Sequence, residues 1–332
     1  MGDGRRVRAR PRTIPTWPDY GRSIGTLIDD ETWRTFDRDG YVSLGPLCSP
    51  DEVAALAERV DDLALGRVQN PAVLFQLDTG GEYEQLPGAM ATLPDPTLMY
   101  RKVQGLEHDD RFVQVLHHPI VREVCDRMYG PHVGVSIFRA MVMNKPAGQG
   151  TVLPWHQDAG DVWGLDRDPL VTLWLAIDDA TPENGCMEVV PGSHRLGLLT
   201  PYGSTVPPEL AEVHCPPDTV RAITAHPGEL VLLHNWVIHR SGVNPTGSPR
   251  RAFTSCLMDA RTLSVSTGDP FPMLYGRAPE LPHHHVAVLR AENEFLRDTA
   301  ARSEEYALSL AAELDKVRMS FEGWRPPRRM RS

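Results

Sequence analysis

The chain has 332 residues, a formal net charge of −10, 41% hydrophobic and 23% charged residues, a balance that suits one large buried core or two modest ones. No apolar run approaches the ~20 residues that span a bilayer, and the basic start MGDGRRVRARPR continues without the apolar stretch of a signal peptide, so a cytoplasmic protein without a membrane partner is expected. The acidic balance argues against nucleic acid as a partner, and five scattered cysteines with no CxxC spacing argue against a disulfide framework or a thiolate zinc site.

Residues 1–30 lack periodicity and read as an N-terminal arm. DDETWRTFDRDG and SPDEVAALAERVDDLAL read as helices, the second starting at Ser49 with Pro50 near its first helical position, and GYVSLGPL between them reads as a short strand. Residues 66–100, rich in glycine, proline and polar residues, read as a long, partly irregular loop. DDRFVQVLHHPIVREVCDRMYG then reads as helical and ends at Gly130. From 131 onward short β-prone runs alternate with turns, the pattern of an antiparallel sandwich or barrel wrapped by the earlier helices. The expected division is therefore the arm, a domain over 31–262 with a helical part (31–130) and a β core (131–262), and 263–332 as linker and C-terminal amphipathic helix. Leu289, Leu296, Leu310 and Val317 share a heptad register there, which suits packing on the domain or homo-oligomer formation.

The stretch PWHQDAGD carries the chemistry. If it is extended, His156 and Asp158 share one face and Gln157 points away. WVIHRSG supplies a third ligand, His239, from a strand far downstream. Two histidines and one carboxylate on one side of a metal, with the other positions open, form the ligand set of non-haem Fe(II) oxygenases. HxD pairs also arise by chance, so the competitors matter. His234, five residues before His239, faces the other side of a continuous strand; His194 and His226 fall in turns; His283 to His285 precede the C-terminal helix. In LVTLWLAI the residues at 171, 173, 175 and 177 are aliphatic, leaving Thr172, Trp174 and Ala176 to line a barrel lumen. Of 34 basic residues only Lys102, Lys145 and Lys316 are lysine.

The blocks KVQGLEHDDRF, MVMNKPAGQG, WHQD, VTLWLAIDDATPENGCMEVVPGSHRLG and HRSGVNPTGSPRRAF, in that order, make the chain resemble the phytanoyl-CoA dioxygenase family of Fe(II)/2-oxoglutarate oxygenases over roughly residues 31–260. The resemblance implies a mainly β fold, a double-stranded β-helix (jelly roll, cupin-like) with flanking helices. It implies His156, Asp158 and His239 as iron ligands, and Lys102, Met141, Gln157, Trp174, Ser241 and Arg250 as 2-oxoglutarate contacts. Fe(II), 2-oxoglutarate and O2 are then the cofactor and cosubstrates. The forked guanidinium of Arg250 suits the distal carboxylate, and its neighbour Arg251 must be excluded. Asp158 stands where related halogenases carry a small residue, which argues against halogenation.

Trp155, Asp161 and Trp163, with Asp166 and Asp168 close by, can stack on sugar rings and pair with hydroxyl or ammonium groups. The expected substrate is accordingly a small polar natural product, an aminoglycoside or oligosaccharide intermediate, oxidised by hydroxylation or oxidative ring closure. An acyl or terpenoid substrate and a non-catalytic metal-binding jelly roll are the alternatives.

Overall fold

The structure, a computed structural model, describes residues 26–277 apart from 81, 82, 84–89, 94, 201 and 204. The arm before 26 and the expected C-terminal helix, with its heptads and His283 to His285, lie outside the described residues.

Local sequence sets the helices. Helix α1 (Asp30–Asp39) starts where the Asp29 carboxylate accepts the Thr32 N–H at 2.7 Å and stops at Gly40, whose φ of 78° only glycine adopts without strain. Helix α2 (Pro50–Ala64) opens on a reciprocal Ser49–Glu52 capping box and buries Val53, Leu56, Val60 and Leu63 at helical spacing. The single helix expected over 109–130 is two, α3 (Asp110–Leu116) and α4 (Pro119–Tyr129). Pro119 has no N–H to continue α3, and it holds His118 extended at ψ 140°. Helix α5 (Pro208–His214) lies later in the chain.

The strands are β1 (Tyr41–Pro46), β2 (Leu74–Leu77), β3 (Tyr100–Gln104), β4 (Val135–Lys145), β5 (Leu153–His156), β6 (Val171–Ala176), β7 (Met187–Val189), β8 (Arg221–Ile223), β9 (Glu229–His234), β10 (His239–Ser241), β11 (Arg250–Asp259) and β12 (Met273–Tyr275). The larger sheet runs β1-β9-β6-β11-β4-β3-β2, with β12 added to β4, and the smaller runs β5-β10-β7-β8. Each pairing of these strands is antiparallel. From β4 to β11 the chain passes back and forth between the sheets, the winding of a jelly roll. Two expectations change. Strand β2 falls inside the segment read as loop, and with β3 and the expected strand β1 it extends the sheet from residues 31–130. Strand β12 pairs with β4 beyond residue 262, so the sheet outruns the expected boundary.

Alternation along the larger sheet divides core from site. On β6, Val171, Leu173 and Leu175 pack into the cluster that holds Trp33, Phe36, Leu56, Phe112 and Val124 from the helices. Full burial of each such side chain contributes about 2 kcal/mol. Thr172 and Trp174 face the other way, into a cavity between the sheets.

Candidate active site

The cavity, about 210 Å³, is walled by β3, β4, β6 and β11 on one side and β5, β7 and β10 on the other. His156 and His239 are directly opposed across the β5–β10 pair, and their ring centroids are 3.9 Å apart. His156 Nδ1–H donates to the Pro154 carbonyl at 2.8 Å and His239 Nδ1–H to the Val237 carbonyl at 3.0 Å. Both Nε2 atoms are thereby left as acceptors. Each lies 3.7 Å from a different oxygen of Asp158, and the ligating atoms of the three residues fall within 4.8 Å of one another. The 3.7 Å separations exceed a hydrogen bond and are within what donors about 2 Å from one shared ion can have. Burial, and then the neighbouring His239, push His156 down to about 4, so its ring is neutral at neutral pH, as metal ligation requires.

Asp158 reaches this position from a loop. Strand β5 ends at His156, so strand alternation does not place the carboxylate as expected. Asn235 does: its carbonyl accepts the Asp158 N–H at 2.8 Å and its Nδ2 donates to the Asp158 carbonyl at 2.9 Å. Asn235 is buried, and Thr172 Oγ1 donates to its Oδ1 at 3.3 Å. Nothing in the sequence reading singled out this clamp, although an amide inside the apolar run LVLLHNWVI must find hydrogen-bond partners when buried.

At the far end of the same face, Arg250 and Lys145 are cross-strand partners. Arg250 is 4% exposed; its Nη2 donates to the Gly185 carbonyl at 2.8 Å, and its Nε has no partner. Among the described residues it makes no ion pair, and burial pushes it down to about 10. Lys145 donates to the Thr151 carbonyl, and burial, then Arg250, push it down to about 6. A buried guanidinium with an unused donor, next to a second buried amine, is a site for a carboxylate. Arg251 is otherwise employed: it donates to Asp178 and forms a 2.8 Å ion pair with Asp61. Desolvation works against its charge, but the Asp178 bonds outweigh it and hold its pKa above the ordinary value.

Lys102, Met141, Trp174, Ser241, Arg250 and Trp163 all line the cavity together with the three metal-ligand candidates. Gln157 does not. It follows the end of β5, and its amide is consumed by the Gly197 and Trp236 carbonyls and the Leu199 N–H. Trp155 also faces away from the cavity, alternating with His156, and carries Arg240 over its ring at 4.5 Å. Asp161 is exposed and outside the lining, because it opens a short turn whose carbonyl accepts the Gly164 N–H. Asp166 and Asp168 hold backbone N–H groups of Leu263 and Gly160. His234 lies against Phe36 and His194, away from the metal-ligand cluster.

Two buried imidazoles, one carboxylate and open space beside them inside a jelly roll define a mononuclear metal centre of the non-haem oxygenase class. The phytanoyl-CoA dioxygenase (PhyH) family model matches residues 36–252, and the chain belongs to that family. It is thus a non-haem Fe(II)- and 2-oxoglutarate-dependent dioxygenase. The chain is 24% identical over 290 residues to the phytanoyl-CoA dioxygenase domain-containing protein 1 of Danio rerio, covering 75% of this chain and 99% of the relative. Its fold is similar to that of EctD from S. alaskensis, solved with 2-oxoglutarate and 5-hydroxyectoine (TM-score 0.55, 23% identity, 81% of this chain and 88% of that one). It is equally similar to the α-ketoglutarate-dependent carbocyclase SnoK from nogalamycin biosynthesis (TM-score 0.55, 22% identity, 75% and 94%). Among the described residues, no helix is long and apolar enough to cross a membrane.

Proposed function

We propose that His156, Asp158 and His239 hold Fe(II), that Arg250 holds the distal carboxylate of 2-oxoglutarate, and that the substrate is a small polar molecule of the natural-product kind, hydroxylated or closed into a ring. The observation that carries this reading is the pairing of an open three-ligand cluster with a buried, half-satisfied arginine in one cavity. A structural metal site would be closed by a fourth protein ligand, and among the described residues no fourth His, Cys, Asp or Glu joins these three.

Fe(II) and 2-oxoglutarate together supply oxidation of a substrate C–H bond by O2, with release of succinate and CO2. The chain's own part is placement and exclusion of water. The Pro154 and Val237 carbonyls fix both imidazole tautomers, and Asn235 fixes the loop that presents Asp158. Arg250 provides the positive end, with the Lys145 amine beside it and Lys102 nearby on the wall. Met141, Met143 and Trp174 make the space between apolar, which keeps water from a reactive centre.

Trp163, at the wall beyond Asp158, offers a face for a ring, which favours a sugar or other cyclic substrate. A polycationic aminoglycoside is disfavoured. The acids expected to receive ammonium groups are exposed or spent on backbone, and among the described residues Asp158 is the one carboxylate that lines the cavity. A screen of candidate substrates for stimulated succinate release tests the reading. Stimulation by one compound class, lost in Asp158→Ala, is expected; release that no compound stimulates and Asp158→Ala retains refutes it.

A further inference from the structure

A chain of net charge −10 lines its cavity with Arg101, Lys102, Arg139, Lys145, Arg240 and Arg250 against, among the described residues, the one carboxylate of Asp158. Most of these cations have an occupation. Arg101 donates to Gln76 at 2.8 Å, Arg240 is paired with Glu188 at 2.7 Å, and Lys145 binds the Thr151 carbonyl. Arg250 and Lys102 belong to the cosubstrate in the reading above. Arg139 is left over.

Its position is specific. Arg139 lies on β4 in the same alternating row as Met141, Met143 and Lys145, six residues from Lys145, or roughly 20 Å along an extended strand. That places it toward the Asp158 end of the cavity, away from the distal carboxylate that Arg250 holds. The register between β4 and β11 shifts at this point, so that Cys256 pairs with Arg139 and Leu257 with Ile137. Phe138 is the extra residue, and such bulges re-aim side chains beside active sites. The guanidinium lies over Phe138 at 4.3 Å and Trp163 at 5.3 Å from the ring centroids. It makes no hydrogen bond or ion pair among the described residues. Among the described residues the acids that act on it electrostatically are Asp158 and Glu107, and Glu107 accepts the Ala140 N–H.

Aromatic contact consumes none of a guanidinium's N–H donors and leaves them for a planar oxyanion. The charges point the same way. Fe(II), Asp158 and dianionic 2-oxoglutarate leave one negative charge, which Arg250 and Lys102 already exceed, so Arg139 enters the loaded site without a counter-ion among the described residues. We propose that Arg139 anchors a carboxylate of the substrate, making the oxidised molecule a small organic acid, such as a sugar acid, whose ring lies against Trp163. This rests on the oxygenase reading of the same cavity.

The test uses the full chain under anaerobic conditions. Calorimetry first measures Mn(II), as a redox-silent stand-in for Fe(II), and 2-oxoglutarate binding to wild type, Arg139→Gln and Arg139→Lys. The loaded proteins are then titrated with glucuronate against glucuronamide, benzoate against benzamide, and glucose 6-phosphate against glucose. Wild type is expected to bind at least one carboxylate ten-fold or more tightly than its amide. That preference should fall to within two-fold in Arg139→Gln and return in part in Arg139→Lys, with metal and 2-oxoglutarate binding unchanged. A preference confined to the phosphate pair, no preference in wild type, or one that survives Arg139→Gln overturns the carboxylate assignment. Failure of wild type to bind metal and 2-oxoglutarate at all overturns the oxygenase reading instead, so the two failures are distinct.

Discussion

Replacing Arg250 by methionine separates binding from stability. Its guanidinium is 4% exposed, with one hydrogen bond and an orphaned Nε. Removing one partner of a buried charge pair costs about 2–5 kcal/mol, so the Kd for 2-oxoglutarate should rise roughly 30-fold to several thousand-fold. Stability of the unliganded protein behaves differently. The variant forfeits a charged hydrogen bond of about 1.5–3 kcal/mol to Gly185 and is relieved of a comparable penalty for burying an unpaired charge. The two nearly cancel, and denaturation should shift by about 1 kcal/mol at most. Arg251→Met is the internal control. It leaves Asp178 and Asp61 unpaired, a loss of about 2–3 kcal/mol given that both acids are partly exposed, with 2-oxoglutarate affinity intact. Isothermal calorimetry for the cosubstrate and urea denaturation for the apoprotein read the two effects. Unchanged 2-oxoglutarate affinity in Arg250→Met, or its loss in Arg251→Met, refutes the reasoning.

Two further perturbations probe the supporting structure. Asn235→Ala removes the Nδ2 donor that holds the Asp158 loop while keeping all three ligands; competition titration should show metal affinity weakened about 10- to 100-fold, and unaltered affinity would mean that Asp158 is positioned without it. Lys145 is held well below the ordinary lysine value, at about 6. Between that pH and the unfolded value near 10.4 the unfolded chain binds the extra proton, so stability should rise with pH over this window. Lys145→Met should flatten that rise in urea midpoints measured across the window, and an identical slope in both proteins would show that Lys145 is charged in the fold.

Much of the site was legible because strand alternation is a strict code. Period two along LVTLWLAI separated the core face from the cavity face, and Thr172 and Trp174 indeed line the cavity. The same rule applied to VSIFRAMVMNK would have put Arg139 in the row of Met141, yet a bulge at Phe138 cannot be read from composition. The rule failed where the strand stopped. Gln157 and Asp158 lie past β5, so their directions depend on bonds to Trp236, Leu199 and Asn235 that are distant in sequence. The acids after Asp158 misled for a related reason. Asp166 and Asp168 satisfy backbone N–H groups of loops, and a sequence does not distinguish an acid that holds a turn from one that meets a substrate. The break between α3 and α4, by contrast, was available from Pro119 alone.

The most direct measurement is a crystal structure of the protein with Fe(II) and 2-oxoglutarate grown without oxygen, with anomalous scattering collected at the iron edge. A single iron peak bounded by His156 Nε2, His239 Nε2 and the Asp158 carboxylate, with the distal carboxylate of 2-oxoglutarate on Arg250, is the expected result. Iron bound elsewhere, closed off by a fourth protein ligand, or accompanied by 2-oxoglutarate that does not touch Arg250 would contradict the account.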